Sequence, residues 1–190
     1  PKRFYVAKKI YDQFCDALVA LTKKAIVGDL TDPQTRLGPL QNQMQFEKVM
    51  GYMNDANRNG VVCSGGKALD QPGYFVEPTI VRDIEDGARV VDEEQFGPIM
   101  PIVRIKDEHD ALARANQSPY GLGGSVWSAD QERGAAIAAK MECGIAWVNA
   151  HNAVMPNTPY SGAKQSGYGA EGAEETIRAF TQVSVVVTPD

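Results

Sequence analysis

The sequence predicts an α/β fold: a mostly parallel, twisted sheet with flanking helices. Three observations lead there. Between residues 99 and 148 the chain alternates apolar strand, helix, strand, helix, strand, the rhythm of parallel strands joined by crossover helices. Two amphipathic helices precede that stretch, with apolar residues recurring every three or four positions. A long loop rich in Pro and Gly then starts at the carboxyl end of a strand, where open α/β sheets place ligands.

Taken in order, Val6 closes a short apolar strand. Ile10, Phe14, Leu18, Leu21 and Ala25 fall on one face of a first helix, which Gly28 stops. Asp29 to Leu40 reads as loop, with breaks at Asp32-Pro33 and Gly38-Pro39. A second helix is expected from about Gln41 to Asn59, with Phe46, Val49, Met50, Met53 and Ala56 inward. Val61-Val62-Cys63 is a strand. Phe75 to Val81 is extended, but Pro78 consigns it to a sheet edge or a bulge. Ile99 to Ile105 is a strong strand, followed by a helix that Asp107 caps and that runs to about Asn116. Gly123 to Trp127 is a strand, Ser128 opens a helix with Gln131 placed for a capping box, and Ile145 to Val148 is a strand. Ala150 to Gly169 is the long loop, and a short helix spans about Glu171 to Phe180. Val183, Val185 and Val187 alternate with Gln182, Ser184 and Thr188, as in a half-buried strand.

Composition narrows the function classes. A length of 190 residues suits one domain with a possible appendage, with 43% hydrophobic and 23% charged residues. The net charge of -5 gives no reason to expect nucleic acid or an anionic membrane as partner. No apolar run reaches membrane-spanning length and no signal peptide opens the chain. Cys15, Cys63 and Cys143 are far apart and odd in number, which argues against a zinc site or a disulfide framework. No metal site is expected, and a reducing cytoplasm is. The chain opens on Pro1-Lys2-Arg3-Phe4-Tyr5-Val6, without Met and already strand-like, as a cut through a longer protein would.

The chemical candidates are few. In Glu93-Glu94-Gln95-Phe96-Gly97-Pro98 a carboxylate and a ring stand two apart beside a Gly-Pro corner. A carboxylate can hydrogen-bond a ribose diol and a ring can pack on a planar heterocycle; the alternative is a solvated pair of surface acids. Gly167-Tyr168-Gly169-Ala170-Glu171-Gly172 matches GxGxxG, yet it follows no strand and leaves no room for the acidic residue a dinucleotide fold needs further on. It reads as a flexible corner. His109 reads as exposed, and His151 lies in the long loop. The three cysteines read as small buried hydrophobes, and no serine sits in a GxSxG elbow, so no nucleophile stands out.

Several motifs then stand in order: Pro1-Lys2-Arg3-Phe4-Tyr5-Val6, Glu94-Gln95-Phe96-Gly97-Pro98, Tyr120-Gly121-Leu122, Gly144-Ile145-Ala146-Trp147-Val148-Asn149, and Pro159-Tyr160-Ser161-Gly162-Ala163-Lys164-Gln165-Ser166-Gly167. Together they resemble the C-terminal, catalytic-domain part of an NAD(P)-dependent aldehyde dehydrogenase, beginning just after the catalytic cysteine. In that family the cysteine attacks the aldehyde, hydride passes to the nicotinamide, and water activated by a glutamate releases the acid from a thioester. The resemblance implies that the nucleophile, the general base and the dinucleotide-binding domain lie upstream, and that this chain alone is inactive. It matches Glu94 to the glutamate that binds the nicotinamide ribose and Phe96 to the ring beside it. It matches Gln45 and Lys48, one helical turn apart, to positions that reach the same ribose.

By the same resemblance the long loop is the substrate-access loop, with His151, Asn152, Val154 and Tyr160 lining the pocket, which suggests a small or polar aldehyde. Glu171 matches a glutamate proposed to relay protons. Ser161 stands where a glycine is usual, and Ala170 where an arginine is common. The resemblance divides the chain into a catalytic α/β region over 1–180 and an oligomerisation strand and tail over 181–190, and implies a homo-oligomer paired through the strand at 182–188. Two other readings stay open: a non-catalytic assembly module that recruits a partner through the last strand, and a coenzyme A-acylating relative. The choice between NAD and NADP is not readable in these residues.

Overall fold

In this computed structural model, which describes residues 1–189, the chain forms two compact units, Pro1–Ala111 and the residues from Leu112 on. The first unit is a four-stranded sheet with helices packed on it. Its elements are β1 (Phe4–Ala7), α1 (Tyr11–Thr22), α2 (Gln43–Asn59), β2 (Val61–Ser64), β3 (Thr79–Arg82), α3 (Arg89–Asp92) and β4 (Ile99–Ile105). The strands lie in the order β1-β4-β3-β2. β4 runs parallel to both neighbours, with Phe4 opposite Ile102 and Thr79 opposite Ile99, while β2 is antiparallel to β3.

Residues alternate across this sheet, and both faces are covered, as for buried parallel strands. Ile80 and Ile102 point to the layer with Val6, Tyr11 and Cys15, against which Phe14, Leu18 and Val19 of α1 pack. Val81, Ile99 and Val103 point the other way, to Val49, Tyr52, Met53 and Ala56 of α2. The α1 face is therefore not the stripe expected. Ile10 and Leu21 are 53% and 65% exposed, whereas Tyr11 is 1% exposed. Tyr11 can be buried because its hydroxyl is satisfied: it donates to the Ile102 carbonyl at 2.9 Å and accepts from the Asp83 amide at 2.7 Å. Those two bonds turn the helix so that Tyr11 and Cys15 face the sheet. The helix ends at Thr22, before Gly28.

Two further expectations are corrected here. Pro78 stands just outside β3, and Thr79, Ile80 and Val81 are all buried, so β3 is central rather than an edge. The irregularity falls on its partner, between Val62 and Ser64. The rhythm from 99 to 148 is also not one sheet. β4 already has a neighbour on each side, so the later strands pair elsewhere.

α4 (Glu108–Asn116) leads into the second unit, capped as expected by Asp107, which accepts from the Asp110 amide at 2.9 Å. There follow β5 (Tyr120–Gly121), β6 (Gly123–Val126), α5 (Gln131–Ala138), β7 (Ile145–Val148), β8 (Tyr160–Ser161), β9 (Ala163–Lys164), β10 (Ala170–Glu171) and α6 (Ala173–Ala179). β6 and β7 form a parallel pair across α5, which buries Gly134 and Ala138. The cap of α5 is Asp130 rather than Ser128: Asp130 accepts from the Arg133 amide at 3.0 Å, and Ser128 Oγ accepts from the Asp130 amide. The expected loop over 150–169 carries two short strands. β9 pairs with β5 and β8 with β10, both antiparallel.

Residues 182–189 form no strand. Val183, Val185, Val186 and Val187 are 77–90% exposed rather than half-buried. The reason is that a lone segment has no ladder to join within one chain, and isolated pairing is marginal even with two strands. Residue 190 of the expected tail lies outside the described residues. Among the described residues no helix is long and apolar enough to cross a membrane.

Candidate functional site

The Glu93–Pro98 segment is a turn fixed from below. Gln95 is 4% exposed, and its side-chain amide donates to the Val90 carbonyl at 2.5 Å and the Lys2 carbonyl at 3.3 Å. Phe96 follows at φ +46° and is 73% exposed. A left-handed aromatic residue costs about 1–2 kcal/mol and persists only where its surroundings dictate it. Here Gln45 Nε2 donates to the Gln95 and Phe96 carbonyls at 2.7 and 3.0 Å. Gln45 is itself placed by the helix cap, since its amide bonds Asn42 Oδ1 at 2.9 Å. Gly97 lies against α2, where a Cβ would stand 2.5 Å from Val49 Cγ2.

The two adjacent acids are in different states. Glu93 accepts from Arg89 at 2.8 and 3.0 Å and from the Tyr52 hydroxyl at 3.0 Å. The Arg89 bonds chiefly hold its carboxyl down to about 2, and burial, with the Glu93 bond, pushes Tyr52 up to about 12. Glu94 is exposed, and among the described residues no hydrogen bond or ion pair engages its carboxylate. Glu94 and Phe96 thus stand outward on one rigid turn, a free two-oxygen acceptor beside a bare ring. That arrangement fits a ribose diol attached to a flat heterocycle. Lys48 and Gln45, one helical turn apart, have different neighbours. Its ammonium lies 5.8 Å from the Tyr52 ring centre, and Gln45 has given its amide nitrogen to the turn.

The second unit holds an open concavity of about 530 Å³, lined by Asn152, Val154, Met155, Pro156, Tyr160 and Glu171 and closed by Gly172. Tyr160 and Glu171 are directly opposite in the β8–β10 pair, so their side chains share a face. Gly172, at φ +78°, turns the chain into α6, where a Cβ would stand 2.8 Å from the Thr158 carbonyl oxygen. The Ala173 amide donates to the Pro156 carbonyl at 3.0 Å and closes the rim. The loop root is pinned by Asn149, at φ +51°, whose amide group bonds the Ser128 amide and carbonyl, each at 2.8 Å.

Three of the four residues expected to line the pocket, Asn152, Val154 and Tyr160, therefore come together, with Glu171, the expected proton relay, beside them. His151 does not line the concavity. Its ring meets Trp147 edge-on with centres 5.4 Å apart, and Nδ1 is 3.2 Å from Ser125 Oγ. Burial lowers its pKa, which favours the neutral ring. Met155, Pro156 and Gly172 escaped notice because no periodicity marks an irregular loop.

No cysteine is activated. Cys15 is fully buried and Cys63 and Cys143 are half-buried, and burial raises the pKa of all three. The GxGxxG stretch contains the two-residue strand β10 and ends on Gly172, the cap of α6, so it is the corner into the last helix. Among the described residues no group of three or more His, Cys, Asp or Glu could hold a metal ion.

Residues 1–186 match the aldehyde dehydrogenase family. The chain belongs to that family. It is 37% identical to human mitochondrial aldehyde dehydrogenase over 186 residues, covering 97% of this chain and 36% of that protein. It is 36% identical to the Deinococcus radiodurans succinate-semialdehyde dehydrogenase [NADP(+)], again over 97% of this chain, and 39% of that one. Among solved family members, betaine aldehyde dehydrogenase from Staphylococcus aureus in complex with NAD+ superposes with a TM-score of 0.89 at 33% identity, over 94% of this chain and 37% of that chain. The NAD+ complex of the aldehyde dehydrogenase from Bacillus cereus gives 0.91 at 32% identity, over 95% and 37%. The chain spans a little over a third of the length of the curated relatives it matches.

Proposed function

We propose that this chain supplies the nicotinamide-ribose seat and the aldehyde-binding loop of an NAD- or NADP-dependent aldehyde dehydrogenase, which converts an aldehyde and water to a carboxylic acid. The observation that carries this reading is the Gln45-braced turn that presents an unengaged Glu94 carboxylate beside the exposed Phe96 ring. The solved relatives with NAD+ support it. Bound there, the nicotinamide would accept a hydride from the aldehyde carbon. Glu94 would hold the ribose hydroxyls, Phe96 would restrict the ring's tilt, and Gln45 would hold both by fixing the turn. Lys48 would act at a distance, through its charge beside Tyr52 and Glu93. Asn152, Val154 and Tyr160 would bound the aldehyde's tail, His151 would anchor the loop on Trp147, and Glu171 would pass protons at the rim.

The direct test is titration of the chain with nicotinamide mononucleotide, followed by the amide signals of residues 93–97. The wild type should respond, and Glu94→Ala should weaken binding by about tenfold, the loss of a charge-assisted hydrogen bond to a diol. An unchanged affinity would remove Glu94 from the seat.

In this reading the nucleophile and the water-activating base come from sequence outside these 190 residues; consistent with it, Cys15 is fully buried and burial raises the pKa of all three cysteines here. The chain alone should give no NADH from short aldehydes above background. Turnover that disappears in a Cys143→Ser variant would contradict this.

The exposed valines at 183–187 supply the second part of the reading, pairing of this segment with another copy of the chain. Light scattering after size exclusion should find a dimer or larger species, shifted towards monomer by Val185→Lys. A monomeric wild type would exclude it.

A further inference from the structure

Resting on the reading of the loop as an aldehyde site, we infer that the concavity between the loop and β10 selects an aldehyde with a positively charged alkylammonium tail and disfavours one with a carboxylate tail. Of the residues that line the concavity, Glu171 alone is charged, and no Lys or Arg is among them. Among the described residues no hydrogen bond or ion pair engages the Glu171 carboxylate, so no cation of the protein is paired with it. Its direct cross-strand neighbour is Tyr160, whose ring shares the same face. An aromatic face next to a carboxylate attracts a soft organic cation twice, through the ring's quadrupole and through the charge. Val154, Met155 and Pro156 complete the wall with apolar surface suited to the alkyl groups that surround such a nitrogen. Asn152 adds a neutral amide, which discriminates against neither sign. A carboxylate tail would find no cation to meet and would face Glu171 at close range.

The test titrates the isotope-labelled chain with choline chloride, propylammonium chloride and sodium butyrate at constant ionic strength, and follows the amides of 152–160 and 170–172. Both cations should shift them and butyrate should not. Choline binding tighter than propylammonium would assign a quaternary tail, and the reverse a primary one. Glu171→Gln, which keeps size and shape, should weaken cation binding by about fivefold, as for an exposed charge pair. Tyr160→Leu should weaken it by about two- to fivefold. The inference is overturned if butyrate binds as well as the cations, if no amide in these segments answers to either cation, or if Glu171→Gln leaves the choline midpoint unchanged. Because nicotinamide mononucleotide reports separately on residues 93–97, failure here with that response intact removes the substrate class and leaves the cofactor seat. Loss of the mononucleotide response with cation binding intact does the opposite.

Discussion

Gln95→Leu is expected to lower the stability of the first unit by about 2–4 kcal/mol and to release the Phe96 turn. Leucine nearly matches glutamine in volume, so the change tests hydrogen bonds rather than packing. It leaves the Val90 and Lys2 carbonyls without the amide that now reaches both. An unpaired buried acceptor costs about 1–3 kcal/mol, and the extra apolar surface recovers only part of that. The left-handed Phe96 would then depend on Gln45 alone, and the affinity for nicotinamide mononucleotide should fall with stability. Amide exchange at Val81 and Val103 reads the first unit by itself, which matters because two units need not unfold together. A change under about 0.5 kcal/mol would mean that the turn is held by something other than Gln95.

Gly144→Ala is expected to have the larger effect on the second unit. A Cβ at residue 144 would overlap the carbonyl of Ser161. Backbone lies on both sides of that contact, so no side chain can rotate to relieve it. Residue 144 is also tied in place by its amide bond to the Gly121 carbonyl at 2.9 Å. Overpacking in a filled site usually costs about 1–3 kcal/mol, and a backbone clash belongs at or above the top of that range. Relief must come from moving Ser161, which disturbs the β8–β10 register and the spacing of Tyr160 and Glu171. Amide exchange at Trp147 should accelerate, and the cation response should fall. Gly51 is the internal control: it lies within α2 with nothing within 4 Å of its Cβ position. Gly51→Ala should be neutral or stabilising by up to about 1 kcal/mol. Equal effects at the two glycines would show that contact geometry does not govern them.

The comparison of sequence with structure separates what local pattern encodes from what pairing decides. β4, β7 and α2 were legible because apolar runs and three-to-four spacing act within a few residues. The division into one four-stranded sheet and separate two-stranded pairs was not, since the sequence does not state that both sides of β4 are taken by β1 and β3. The rotation of α1 depends on a tyrosine hydroxyl that finds partners in β4 and at Asp83, far along the chain. The tail's alternation marks a segment able to pair, and the exposed valines lack a partner within this chain.

The site divides in the same way. Glu94 and Phe96 drew notice because their chemistry is visible in their names. Gln95 did not, because a polar residue between two candidate ligand-binding ones looks like surface until its amide is found inside. Gln45, which the resemblance matches to the ribose, bonds the turn through its amide nitrogen. His151, which the resemblance matches to the pocket wall, packs on Trp147. Both are polar side chains whose nearest partner is the protein itself, something that residue type and spacing do not reveal.

The most direct measurement is a crystal structure of this chain with NAD+ or nicotinamide mononucleotide bound. The account predicts ribose hydroxyls within about 2.5–3.0 Å of the Glu94 carboxylate, as for O–H donors to a charged oxygen, with the nicotinamide against the Phe96 ring and Gln45 still bonded to the turn. A nucleotide ordered elsewhere on the molecule, with Glu94 and Phe96 left in solvent, would contradict it.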